Sequence, residues 1–162
     1  MSWPINKPKR VCGGCTACCT THAIFELEKP MNTDCKYCAE RSCAIYPSRP
    51  KSCQDFNCQW IEGWGENHDR PDRSGVVMDC FAKEGDFAPV VIFWEYRSGA
   101  LSTPFVWESA ACSLEADINV MFWHKSGTID LYLSPGRKIT ERMGKVIKGS
   151  KITVKDFPIL AQ

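Results

Sequence analysis

The sequence predicts an α+β fold, in which an irregular, cysteine-rich N-terminal half packs on a small antiparallel sheet with one or two helices. Three observations predict it. Nine of the eleven cysteines fall within the first 58 of 162 residues, with only short apolar pieces between them. A polar stretch over residues 61–75 holds three glycines and a proline, and reads as a connecting loop. Beyond it, apolar residues recur first at period two and then at helical spacing.

The elements follow in order. Residues 1–11 read as an extended arm. Asn32-Thr-Asp34 and Pro47-Ser-Arg-Pro50 read as turns, and little regular structure is expected across 12–60, where ligand geometry would direct folding. Val76 to Cys80 reads as a strand, Glu84-Gly-Asp86 as a turn, and Pro89 to Tyr96 as a second strand closed by Ser98-Gly99. Thr103-Pro104 suits a helix N-cap and first helical position, and the helix runs to about Asp117. Met121 to His124 and Thr128 to Leu133 flank Lys125-Ser-Gly127 as a hairpin, with Ile129, Leu131 and Leu133 on one face. From Arg137 to Lys148, Ile139, Met143, Val146 and Ile147 recur at helical spacing, and Ile152-Thr-Val154 reads as a last short strand. The chain divides into a cysteine-cluster region, 1–75, and a small α+β region, 76–162, within one compact domain.

Composition bounds the function classes. With 44% apolar and 24% charged residues the chain is an ordinary globular one. The net charge is +1, so overall charge names no partner. Residues 1–58 carry 8 basic and 5 acidic side chains, against 12 and 14 in the remainder, so the cysteine-rich part is the basic one. No secretory signal is visible at the start, and the longest apolar run, Val90 to Trp94, is too short to span a bilayer. The expected location is cytoplasmic, with no membrane segment, and there disulfides are rare.

The cysteines then carry the chemistry. Cys12-Gly-Gly-Cys15-Thr-Ala-Cys18-Cys19 is a C-x2-C-x2-C-C run, and thiolates packed this densely repel one another unless a cation sits between them. A disulfide framework is the alternative. An odd number of cysteines, no signal peptide and the adjacency of Cys18 and Cys19 all count against it. The N-terminal half is therefore expected to be metal-stapled. Three cysteines at x2 spacing, with a distant fourth in Cys53 or Cys58, are what an iron–sulfur cluster of the 4Fe–4S type needs. Cys35-Lys-Tyr-Cys38 is a second C-x2-C knuckle of the kind zinc sites use, and Cys43, Cys53 and Cys58 follow. Two zinc sites, a cluster plus one zinc, or a cluster plus structural thiols all fit the count. In an extended stretch the side chains of Cys18 and Cys19 diverge, which would send them to different sites or leave one buried and inert.

Together with Cys43-Ala-Ile-Tyr46-Pro-Ser-Arg49-Pro50-Lys-Ser-Cys53-Gln-Asp-Phe56-Asn-Cys58, these residues resemble the cysteine-cluster family of zinc- or iron-chelating proteins, the YkgJ type. The resemblance spans roughly residues 12–60. The stretch Pro71-Asp-Arg-Ser-Gly75 also resembles one that follows the motif in some members. It implies a metal-binding protein, with Cys12, Cys15, Cys18, Cys19, Cys35, Cys38, Cys43, Cys53 and Cys58 as ligands. The family pattern has eight cysteines where this chain has nine, so Cys35 or Cys38 is the extra one.

The residues between the cysteines have physical roles of their own. Pro50 fixes φ at a sharp ligand-bearing turn. Arg49 is the candidate cofactor-binding side chain, because its guanidinium can donate to thiolate or sulfide. Tyr46, Phe56 and Trp60 read as an apolar shell that keeps water away.

Other signals are weaker. Cys80 and Cys112 read as buried small hydrophobes. His22 could complete a Cys3His site, whereas His68 and His124 have no partner at ligand spacing. Residues 137–155 carry seven basic side chains and Glu141, which reads as a solvated face rather than a nucleic-acid surface. Of six tryptophans, Trp94, Trp107 and Trp123 read as core. The sequence holds no nucleophile elbow, phosphate loop, dinucleotide fingerprint or zinc-protease motif. The resulting expectation is a binding or scaffold module carrying an iron–sulfur cluster or zinc and working with a protein partner. A redox or electron-transfer enzyme and a zinc-stapled component of an assembly are the alternatives.

Overall fold

A computed structural model describes residues 10–82 and 88–158. In chain order the elements are α1 (Ala17–Thr21), β1 (Cys38–Ala39), β2 (Ser42–Cys43), α2 (Lys51–Asp55), α3 (Pro71–Ser74), β3 (Val76–Phe81), β4 (Val90–Glu95), α4 (Pro104–Glu115), β5 (Asn119–Trp123), β6 (Ile129–Tyr132), α5 (Glu141–Lys148) and β7 (Ile152–Val154). The fold is α+β, as the periodicities predict. Most of the expected arm, Trp3 within it, and the expected turn at 84–86 lie outside the described residues.

β1 and β2 form a small antiparallel hairpin, and β3 to β7 form one five-stranded sheet in sequential order. That sheet is mixed, not antiparallel as expected. β3–β4 and β5–β6 pair antiparallel, but β4–β5 and β6–β7 pair parallel. The reason is connectivity. α4 and α5 each carry the chain back to the end from which the preceding strand started, and a crossover of this kind delivers a parallel neighbour.

Alternation along the strands gives the sheet two apolar faces. Val76 and Met78, Val91 and Phe93, and Val120 and Phe122 pack against Val106, Ala110 and Leu114 of α4. Val77, Ile92 and Trp94 point the other way and pack with Ala17 of α1 and Cys58, flanked by Phe56, Trp60 and Trp123. The cysteine-rich part thus covers one face of the sheet, and α4 covers the other. At about 25 cal/mol per Å² of apolar surface removed from water, both faces contribute to holding the chain together.

Local chemistry sets the element ends. Pro104 opens α4, whose first amide needs no partner. Asp117, at φ 60°, stops the helix two residues past Glu115. Its carboxylate accepts from the Ser134 hydroxyl at 2.8 Å and from Arg137. Thr140 caps α5 by accepting the Met143 amide at 3.2 Å, so the helix starts at Glu141 rather than Arg137. Gly75 has φ 83°, and a Cβ there would lie 2.9 Å from that of Ala100, so only glycine fits the junction of α3 and β3. The polar stretch over 61–75 is not wholly irregular. It holds a 3₁₀ turn at Asn67–Asp69 and then α3. No helix among the described residues is long and apolar enough to cross a membrane.

Candidate metal centre

The thiols gather because short-range turns put them there. In Cys12-Gly-Gly-Cys15 the Cys15 amide bonds to the Cys12 carbonyl at 3.3 Å. Gly13 takes φ 59°, which lets the chain fold back at once. α1 then starts at Ala17, which is fully buried against the sheet and anchors the helix. Cys18 and Cys19 therefore lie in a helical turn, not an extended stretch, and diverge by about 100° around its axis. The Cys35 amide bonds to the Cys19 carbonyl at 3.1 Å, and the Cys38 amide to the Cys35 carbonyl at 2.8 Å, which closes the second knuckle. β1 and β2 set Cys38 directly opposite Cys43. Pro50 precedes α2, and its carbonyl accepts the Cys53 amide at 3.0 Å. The Cys58 carbonyl accepts from Ile61 and Glu62 at 2.9 and 3.2 Å.

Electrostatics show which thiols face one another. Burial pushes Cys12 up to about 11, with Cys15, Cys58 and Cys19 adding negative charge nearby. Burial also raises Cys58, beside Cys15. Cys18 donates a hydrogen bond to Cys19, which raises Cys18 well above the ordinary thiol range and lowers Cys19 to about 6. Cys38, whose thiol donates to the Ala39 carbonyl at 3.6 Å, also helps to lower Cys19, and burial is the main reason that Cys38 is raised. Burial raises Cys53, which faces Cys19, Glu26 and Cys35. Two neighbourhoods emerge: Cys12, Cys15, Cys18 and Cys58, and Cys19, Cys35, Cys38 and Cys53. Cys19 touches both.

Burial raises Cys15 as it does Cys58, and the nearby amides of Ala17 and Asp72 at Cys15, and of Ile61 and Trp60 at Cys58, act in the opposite direction. Donors of this kind favour the thiolate and offset part of the cost of burial.

Three cationic side chains interleave with the thiols. Arg49 lies over the Tyr46 ring at 4.0 Å, and its charge favours thiolate at both Cys12 and Cys19. Lys29 is buried, and its ammonium donates to the carbonyls of Thr20, Pro30 and Thr33 at 3.2, 2.9 and 2.6 Å. It faces Cys35, Cys19 and Cys18. Arg70 pairs bidentately with Asp72 at 2.6 and 2.7 Å and faces Cys15 and Cys12. Sequence reasoning identified Arg49 but missed Lys29 and Arg70. Their signal is weak in the sequence, a lysine before a proline and an arginine just outside the Pro71-Asp-Arg-Ser-Gly75 stretch.

All eleven cysteines lie among the described residues, and none is joined in a disulfide. Among the described residues no three Cys, His, Asp or Glu side chains converge tightly enough to hold an ion as they stand. Cys80 lies on β3 against the α4 face, and Cys112 lies on α4. Both are half-buried rather than buried, and pack at the margin of that core. His22 turns from the thiols toward the sheet. Its ring packs on Phe56 at 4.5 Å and on Trp94 at 4.7 Å, and its Nε2 lies 4.0 Å from the Asp79 carboxylate. The chain matches no protein-family model, no curated protein and no solved structure.

Proposed function

We propose that this chain is a metal-binding module of the cysteine-cluster type, with two centres of four thiols each. Cys12, Cys15, Cys18 and Cys58 would hold one, and Cys19, Cys35, Cys38 and Cys53 the other. The carrying observation is the backbone bonding that draws these cysteines together, Cys15 to Cys12, Cys35 to Cys19 and Cys38 to Cys35. Thiolate is the metal-binding form, and although burial favours the protonated thiol at Cys15 and Cys58, a bound cation would favour their thiolates. The donor set fits the group in kind: eight sulfurs are interleaved with the positive charges of Arg49, Lys29 and Arg70. An iron–sulfur cluster bound at the first centre would supply one-electron chemistry, and zinc at the second would supply a structural staple.

In this reading Gly13 shapes the loop, Ala17 anchors it, and Arg49 spans the two centres. The protein works in the cytoplasm, where thiols stay reduced, as a binding or scaffold module for a protein partner. Anaerobic purification with elemental analysis and an absorption spectrum tests it. Iron with sulfide and a broad band near about 400 nm supports the cluster, and zinc alone supports two staples. Protein free of both metals overturns the proposal.

One observation favours electron transfer as a second reading. Phe56, between Cys53 and Cys58, touches His22, which touches Trp94, which stacks on Trp123 at 4.4 Å. This row of rings leads from the thiols across the sheet. A reduction titration decides: a centre that takes up an electron supports this reading, and a redox-silent metal removes it.

A further inference from the structure

Cys43 is the thiol that the two sets of four leave over, and its place in the fold gives it a role. β1 and β2 pair Cys38 with Cys43 and Ala39 with Ser42. The Ala44 amide donates to the Tyr37 carbonyl at 2.8 Å, on the far side of the Cys38–Cys43 rung. Hydrogen-bonded and non-hydrogen-bonded rungs alternate in an antiparallel pair, so Cys38–Cys43 is a non-hydrogen-bonded rung. In such a rung the two Cα atoms lie about 4.5 Å apart and both side chains leave the same face. A disulfide spans Cα separations of roughly 4.4–6.8 Å, so the hairpin needs no backbone movement to accept one. Both thiols are half-buried, which leaves them within reach of a small oxidant.

We infer that Cys38 and Cys43 form a peroxide-sensitive dithiol, whose oxidation withdraws Cys38 from the second thiol set. The inference rests on the metal-binding reading for its consequence, but the cross-link itself does not. The reaction balances with hydrogen peroxide as oxidant. The Cys43 sulfur attacks one peroxide oxygen, the O–O bond breaks, and Cys43 becomes a sulfenic acid while the other oxygen leaves as water. The Cys38 sulfur then attacks the Cys43 sulfur, the S–O bond breaks, and a second water leaves. In sum, two thiols and one peroxide give one disulfide and two waters. Two electrons pass from sulfur to oxygen. Cys19, Cys35 and Cys53 are then left as a set of three.

The tryptic map makes the test unambiguous. Cleavage after Lys36 and Arg41, with the Arg49–Pro50 bond resistant, places Cys38 in peptide 37–41 and Cys43 in peptide 42–51. Each peptide carries a single cysteine. The full-length protein, purified anaerobically, is treated with hydrogen peroxide, alkylated and digested without reductant. The expected product is these two peptides joined, two hydrogens lighter than their sum, with release of the metal of one centre. In Cys43→Ser the metal content before treatment is unchanged and peroxide-driven release is about tenfold slower. Peptide 37–41 joined instead to the peptide bearing Cys19, or no joined pair, overturns the inference. So does metal loss from Cys43→Ser before any peroxide, because Cys43 would then be a ligand. Protein with no metal but with the joined pair fails the functional reading and leaves the dithiol standing, so the two failures are distinguishable.

Discussion

Trp94 and Trp123 stack across the parallel β4–β5 pair with ring centres 4.4 Å apart, and both indole N–H groups are buried with no hydrogen-bond partner among the described residues. A buried, unpaired donor is costly, so the stack must be held by its area and by the cysteine-rich part that covers it. Trp94 is only 8% exposed, and the His22 ring lies against it. Trp94→Ala is expected to cost about 3–5 kcal/mol in chemical denaturation, because it opens a cavity between the sheet and α1. Trp94→Phe keeps the ring and removes the unpaired N–H, so it should cost much less. Equal losses in the two variants would show that the stack is not what joins the two parts.

The two-centre reading predicts a division of metal between variants. Cys12→Ser and Cys53→Ser should each lose the metal of one centre and keep that of the other, and the double variant should lose both. Cys80→Ala and Cys112→Ala should keep full metal content, since those thiols pack against α4 and the core. Elemental analysis of the purified variants checks this. Complete loss in both single variants would mean one shared centre, and Cys19, which touches both neighbourhoods, would be its hub.

The strands were legible because their chemistry is local. Val76 to Phe81 and Val90 to Glu95 alternate faces, and Thr103-Pro104 opens a helix wherever the chain goes next. The parallel pairing of β4 with β5 was not legible, because no local residue records which edge a crossover rejoins. α1 and α2 were also missed. Each has five residues, too few for a periodic stripe, and α1 exists because Ala17 is buried on the sheet. At the candidate site the clustering of thiols was readable, but the divergence of Cys18 from Cys19 was argued from an extended stretch and arises instead in a helical turn. The spacing left Cys53 and Cys58 open as the remote ligand, because that choice depends on contacts some forty residues apart. Lys29 and Arg70 carry no signature that separates them from surface cations.

His22 is a probe of how tightly the cysteine-rich part sits on the sheet. Burial, with Lys29 nearby, lowers it to about 4. A histidine whose folded value lies below its unfolded one holds fewer protons when folded, so stability rises with pH between the two values. Its contribution is therefore complete above the ordinary histidine range and is lost as pH falls toward about 4, a change of roughly 3 kcal/mol. The ring resonances of His22 should stay in the neutral form down to about pH 5. Titration at the ordinary histidine value would show water reaching the ring, and would mean that the part built around α1 stands away from β4.

Asp130 ties β6 to the residue that follows β7. It sits on β6, its carboxylate accepts from Lys155 at 2.8 Å, and it meets the His124 ring nitrogen at 2.9 Å. Burial pushes the carboxyl up, but its hydrogen bonds and charge interactions with Lys155 and His124 outweigh that and hold it below the ordinary carboxylate value. A lowered acid contributes stability above its unfolded value and loses it as pH falls through the folded one. Asp130→Asn should therefore cost about 1–2 kcal/mol at neutral pH, and the difference from the parent should vanish in strong acid. Lys155 lies one residue beyond β7, so the same substitution should loosen the β6–β7 pairing, read as faster amide exchange at Thr153 and Lys155. A penalty that is the same at every pH would mean that Asp130 acts through shape alone, and that its charge holds neither partner.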